Sequence, residues 1–173
     1  TILTQGTGGV SIFALQFAVI QGARVISTSG NDEKLSRVKT LGATDGINYR
    51  TTETWGQKAK NITEGRGVDN VLEVAGSLPQ SVEAVRVGGT ISIIGALSGT
   101  NSNQIASTMA VGKQLTIQGI YVGSRDMFET MNRAISLHKL KPIIDRIFPF
   151  DEARPALHYM ESGAHFGKIV ITK

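Results

Sequence analysis

The chain contains no cysteine. Its absence excludes disulfides and every thiolate-bound zinc site, structural or catalytic, within these 173 residues, and suits a reducing, cytoplasmic setting. Long apolar runs are also missing. Nothing approaches the roughly 20 consecutive apolar residues that cross a bilayer, and no basic stretch leads into a short apolar one as a secretion signal requires. Charge of one sign is scarce too: 18 Lys and Arg against 14 Asp and Glu leave a net +4. The basic residues are scattered and not interleaved with aromatics, so neither nucleic acid nor a membrane is an expected partner. A mild positive surplus suits a small anionic ligand.

Several catalytic signatures are absent as well. There is no nucleotide-triphosphate loop G-x-x-x-x-G-K-[ST], no G-x-S-x-G elbow and no Tyr-x-x-x-Lys of the short-chain dehydrogenases. Ser36 to Lys39 spells S-x-x-K, but inside a predicted helix with no companion motif, so it reads as an exposed helix face. His138, His158 and His165 lack metal-ligand spacing and read as surface histidines. The triplet Asn61-Ile62-Thr63 fits glycosylation, but nothing else points to secretion.

What is present is an alternation of short β-branched runs with helical patterns. Strands are predicted over residues 1–5, 24–28, 46–49, 69–75, 89–95 and 115–122. In the first helix the stripe Val10, Phe13, Ala14, Phe17 and Ala18 is expected to face the sheet, and Gly22 ends it. Asn31 is a natural cap for a helix through Leu41, with Asp32 and Glu33 in its first turn. Further helices are expected over 53–63, 77–87 (opened by Ser77 with Pro79), 104–112 and 125–138. This pattern implies an α/β fold: a Rossmann doubly wound parallel sheet of about six strands, order 3-2-1-4-5-6. Beyond Pro142 the rhythm breaks, giving an expected division into a 1–142 dinucleotide-binding domain and a 143–173 helix-strand tail.

The first strand runs into Gly6-x-Gly8 and directly into a helix. The first glycine permits a tight turn, the second lets backbone approach a pyrophosphate, and the helix start supplies N–H groups and a positive dipole end. Ser11 stands where a third glycine is usual, and is small enough for close helix–strand packing. The second strand ends Ser27-Thr28-Ser29-Gly30 rather than in Asp or Glu. Small hydroxyl residues leave room for a ribose 2′-phosphate, and Lys34 is a candidate counter-charge, with Asp32 and Glu33 as possible repellents. The reading favours NADP, with NAD as the alternative.

The segments QGTGGVSIFALQFA, EKLSRVKTLGATDGINYR, GRGVDNVLEVAG, GGTISIIGALSG and FGKIVITK resemble the medium-chain dehydrogenases/reductases, in family order and over essentially the whole chain. The run GSRDMFETMNRAI followed by HKLKPIIDRIFPFDEARPALHYMESGAHFGK is most similar to the alcohol dehydrogenase-like members. The resemblance implies that Gly6, Thr7, Gly8, Gly9 and Val10 hold the pyrophosphate, and that Lys34 and Tyr49, beside Ser29, line a 2′-phosphate pocket. It also implies that Val74, Ala75, Gly76, Gly95, Ala96, Leu97, Val122, Gly123 and Ser124 line the nicotinamide and its ribose. The sixth strand, 115–122, would pair with its copy in a homodimer. Members carry a separate catalytic domain with the substrate pocket and, in some, zinc; the residues here leave zinc dependence open. The chain starts inside an apolar run without an initiator Met, so it is expected to be part of a longer protein and to be inactive alone. The resemblance also implies that the 143–173 tail returns to that catalytic domain, which in the family is N-terminal, so the tail residues Ile144, Phe148, Phe150, Leu157, Met160 and Ile169 are expected to be partly unpacked. The activity implied is hydride transfer between nicotinamide and a carbonyl or alcohol. A quinone or enoyl reductase, or a non-catalytic nucleotide-binding module, is the alternative.

Overall fold

A computed structural model describes residues 1–95 and 107–173. In chain order the elements are β1 (Ile2–Gln5), α1 (Gly9–Ile20), β2 (Val25–Ser29), α2 (Asp32–Thr40), β3 (Asp45–Asn48), α3 (Trp55–Ile62), β4 (Val68–Glu73) and α4 (Leu78–Ala84). They continue as β5 (Val85–Ile93), α5 (Ser107–Gly112), β6 (Thr116–Gly119), α6 (Arg125–Leu137), β7 (Ile144–Pro149), α7 (Ala153–Glu161) and β8 (Lys168–Thr172). Side chains on successive strand residues point to opposite faces, and β1 and β2, Gln5 apart, are apolar or small on both. Leu3 and Ile26 therefore pack with Trp55, Ala59 and Val82 of α3 and α4, while Val25 packs with Ile12, Leu15, Leu35 and Val38 of α1 and α2. With helices on both faces the sheet is parallel throughout, in the order β3-β2-β1-β4-β5-β6. The predicted architecture is thus the observed one. Successive crossovers leave β1 in opposite directions, which opens a crevice at the carboxyl ends of β1 and β4.

The face that α1 turns to the sheet is the predicted one only at Ala18. Ser11, Ile12, Leu15 and Ala18 are buried, whereas Val10 is 46% exposed. Val10, Phe13 and Phe17 instead border an apolar groove against Phe128, Met131 and Ile135 of α6. The helix is apolar nearly all round, so periodicity alone does not choose a face; Ser11, the small residue, lies against β1. Helix α4 is also shorter than expected. It stops at Ala84, and the chain passes at once into β5, where Val85 pairs with Val68. The Lys113 ammonium donates to the carbonyls of Val82, Glu83 and Val85 at 2.6, 3.1 and 3.0 Å, closing the carboxyl end of α4. Strand β6 is shorter than 115–122, because β5 ends at Ile93 and its last bond to this strand is accepted by the Ile93 carbonyl from Ile120 N–H.

The tail forms a two-stranded parallel sheet, β7 with β8, bridged by α7. It is tied back to the main sheet's loop: Gly167 N–H donates to the Thr7 carbonyl at 2.8 Å, and Phe166 is buried among α1 and α2 beneath the Arg37 guanidinium. Of the six tail residues expected to be partly unpacked, Ile144, Phe150, Leu157 and Met160 are exposed and Ile169 is half-buried. Phe148 departs from that expectation. It is buried, because Tyr159 of α7 packs on it at 6.0 Å and the Arg146 guanidinium lies over its ring.

The packing of α1 predicts unequal costs on its two apolar faces. Leu15→Ala should lower unfolding free energy in urea by about 2–5 kcal/mol, and Val10→Ala by less than about 1 kcal/mol. The reverse order would restore the face first expected.

Candidate functional site

The crevice begins where β1 ends. Gly6 has φ +74°, a left-handed conformation that glycine adopts without strain, and its N–H donates to the Thr28 carbonyl at 2.9 Å. Gly8 caps α1 without a side-chain hydrogen bond, and no acidic residue stands in the first turn. Around Gly6 and Gly8 the space a Cβ would take is open. No side chain of the helix itself thus competes for an anion at this end of α1. Ser11, 2% exposed, donates from Oγ to the Gln5 carbonyl at 2.5 Å and lets helix and strand approach closely. At Gly9 a Cβ would overlap the side chain of Lys168, which brings a cation to the start of α1. Lys168 escaped sequence reasoning because it lies at the far end of the chain, in β8.

A cavity of about 500 Å³ opens in front of this loop. Gly6, Thr7 and Gly8 form one side, and Ser29, Gly30, Asn31, Lys34, Tyr49 and Arg50 the base. Residues 162–165 of the tail also line it. Gly9 and Val10 do not line it; both border the apolar groove on α6. Asn31 caps α2 as expected, its Oδ1 accepting from Lys34 N–H at 2.9 Å. The two carboxylates expected to repel a phosphate are not among the lining residues, and Asp32 accepts from Asn48 Nδ2 at 2.8 Å. Lys34 does reach the cavity, but its ammonium already donates to the carbonyls of Gly163 and His165 at 2.7 and 3.0 Å. Burial lowers its proton affinity, Asp145 works to restore it and Arg37 lowers it further. Arg50 was not foreseen. Its Nε and the Tyr49 hydroxyl both sit where a side chain on Gly30 would project, so glycine there admits them to the cavity.

A second cavity of about 470 Å³ shares Tyr49 and is lined also by Gln5, Thr28, Glu53, Trp55, Ala75, Ser77 and Gln80. Its edge is the turn after β4, and that turn is held from within. Gln5 Oε1 accepts from the N–H groups of Val74 and Ala75 at 3.1 and 3.0 Å. Glu73 Oε1 accepts from Gly76 and Ser77 N–H at 2.7 and 3.0 Å. Gly95 fits against the Val74 carbonyl, where a Cβ would overlap it. Val122, Gly123 and Ser124 lie past β6, exposed and outside both cavities; Ser124 Oγ caps α6 by accepting from Met127 N–H. Ala96 and Leu97 lie outside the described residues.

A doubly wound sheet whose first strand runs through a glycine turn into an uncapped helix, with cavities on both sides, defines a dinucleotide-binding domain. The chain belongs to the zinc-binding dehydrogenase family, whose profile matches residues 9–137. It is 44% identical to a zinc-type alcohol dehydrogenase-like protein of Schizosaccharomyces pombe, over 98% of this chain and 51% of that protein. It is 30% identical to an L-threonine 3-dehydrogenase of Anaeromyxobacter, over 98% and 50%. Among solved structures, an alcohol dehydrogenase-type protein of Sinorhizobium meliloti superposes with TM-score 0.92 at 42% identity, covering 99% of this chain and 50% of the other. An NAD-dependent alcohol dehydrogenase gives 0.89 at 32%, covering 99% and 51%. The chain spans about half the length of the relatives it matches. It is the cofactor-binding domain of such oxidoreductases. The chain has no cysteine, and among the described residues no three His, Asp or Glu side chains converge.

The tail wall of the first cavity is braced by Asp145. Burial works against its ionisation, but hydrogen bonds from Tyr159 Oη (2.6 Å), Arg37 (3.2 Å) and the Phe166 backbone hold its carboxyl below the usual carboxylate range. A depressed folded value stabilises above the unfolded pKa and is lost as pH falls through the folded one. The stability margin of wild type over Asp145→Asn should therefore be constant above about pH 5 and narrow below about pH 4. Chemical denaturation across that range measures it, and a margin that widens on acidification contradicts the assignment.

Proposed function

We propose that this chain binds NADP and, within a longer cytoplasmic protein, presents it for hydride transfer between the nicotinamide and a carbonyl or alcohol substrate. The observation that carries the cofactor choice is the floor of the first cavity. Ser29 ends β2 there and Gly30 and Asn31 follow it, without a carboxylate, and the cations Lys34 and Arg50 reach the same space. An acidic residue at this place would favour the 2′-hydroxyl of NAD; a guanidinium suits a 2′-phosphate. Arg50 is the better phosphate partner, since two of the three Lys34 donors are already engaged by carbonyls.

In this reading Gly6, Thr7 and Gly8 admit the pyrophosphate to the start of α1, with Gly9 and Lys168 beside it. Ser29, Lys34, Tyr49 and Arg50 surround the 2′-phosphate. Val74, Ala75 and Gly76, together with Gly95, edge the crevice toward the nicotinamide half. When bound, the nicotinamide accepts or gives the hydride; this domain's residues bind and orient it. The substrate and any group that handles its proton are assigned to the remainder of the longer protein.

We also propose that β6 pairs with its copy in a homodimer. It is the edge of the sheet and is exposed along its whole length, and Ile120, Tyr121 and Val122 extend an apolar surface beyond it.

Calorimetric titration of the chain should give tighter binding of NADPH than of NADH. Arg50→Ala should weaken NADPH about tenfold, close to 1.4 kcal/mol, and change NADH less than about twofold. Tighter NADH in the wild type overturns the NADP assignment. Sedimentation equilibrium should show a dimer that Ile120→Lys converts to a monomer, a charge on a pairing edge being a known block to association. A wild-type monomer would remove the dimer.

A further inference from the structure

The described network beneath the second cavity joins two places far apart in the chain. Gln5 is the last residue of β1 and immediately precedes Gly6; Glu73 is the last residue of β4. Both are buried, at 3% and 1% exposed. Gln5 Nε2 donates to Glu73 Oε2 at 3.0 Å and to Ser81 Oγ at 2.8 Å, and Ser81 Oγ donates in turn to Glu73 Oε2. The remaining oxygens divide the turn between them: Gln5 Oε1 takes the amides of Val74 and Ala75, and Glu73 Oε1 those of Gly76 and Ser77. Four consecutive backbone N–H groups thus end on two side chains that are bonded to each other.

Burying a carboxylate among neutral groups is costly unless its lone pairs are filled. Here four donors fill them, and each is neutral. Holding the turn alone would not require the second partner to come from β1. The link to the residue before Gly6 does something else: it fixes how far the phosphate loop stands from the turn that edges the second cavity. A small anion at the loop needs no such spacing, whereas a ligand that occupies the loop and the second cavity together does.

We propose that Gln5 and Glu73 are paired positioning residues that set the separation of the phosphate loop from the β4–α4 turn. In this way they set affinity for a dinucleotide spanning both. This inference rests on the cofactor reading above. The donor pattern allows an exchange test. With Gln5→Glu and Glu73→Gln combined, residue 5 still presents an oxygen to Val74 and Ala75, and residue 73 one to Gly76 and Ser77. An amide N–H still meets a carboxylate oxygen between them. Each single substitution breaks that meeting, placing carboxylate against carboxylate or amide donor against amide donor.

In the 173-residue chain, Glu73→Gln should weaken NADPH about tenfold by calorimetry, while inorganic pyrophosphate, titrated by phosphorus NMR, changes less than about twofold. The double exchange should return NADPH affinity to within about threefold of wild type. Should the single variants fail to fold, Ser81→Ala, which removes one hydroxyl and leaves the backbone contacts, should still weaken NADPH about threefold with pyrophosphate unchanged. Unchanged NADPH affinity in Glu73→Gln or Ser81→Ala overturns the proposal, as does a double exchange that folds without regaining it. If the wild type binds neither NADPH nor NADH, it is the cofactor reading that fails, independently of these variants.

Discussion

The structure depends on the pairing of one very short strand on both of its edges. Strand β1 is bonded to β2 on one side and β4 on the other, and it is the place where the crossovers reverse direction. Its length is only four residues. Everything the site uses is measured from its end: the loop that turns at Gly6, the helix that follows, the Gln5 side chain, and the carbonyl that receives Ser11. Shifting β1 by one residue would reverse which side chains face which layer of helices. It would also carry Gln5 away from β4.

The two cavities that flank this strand end differ in chemistry. The first is lined by the cations Lys34 and Arg50 and by several glycines, a surface that suits oxyanions; the second has Tyr49 and Trp55 beside amides, hydroxyls and the Glu53 carboxylate, and suits something flat and partly polar. Tyr49 belongs to both. One elongated ligand with an anionic middle would satisfy the pair, which is the shape of a dinucleotide.

The strand order and most element positions were legible because βαβ alternation is a property of local periodicity and turn residues. The glycine loop, the Asn31 cap and the small Ser11 were legible for the same reason. What was not legible was set by tertiary geometry. The α1 face could not be chosen from a helix apolar on most sides, so Val10 was assigned inward and lies outward. Arg50 follows an ordinary strand end and is brought into the cavity only by the absence of a side chain at Gly30. Lys168 and residues 162–165 reach the site across nearly the whole length of the chain. The carbonyls that occupy Lys34 arrive from there too, and Phe148 is buried by α7, an element whose packing no local pattern announces.

The tail wall also imposes an order in time. The glycine loop lies near the beginning of the chain and closes its hydrogen bond to Gly167 near the end. A nascent chain made only as far as α1 has β1 and the loop, yet has neither the tail residues that line the cavity nor the carbonyls that hold the Lys34 ammonium. The first cavity is therefore completed only when residues 162–168 have been made, however early its most recognisable motif is translated.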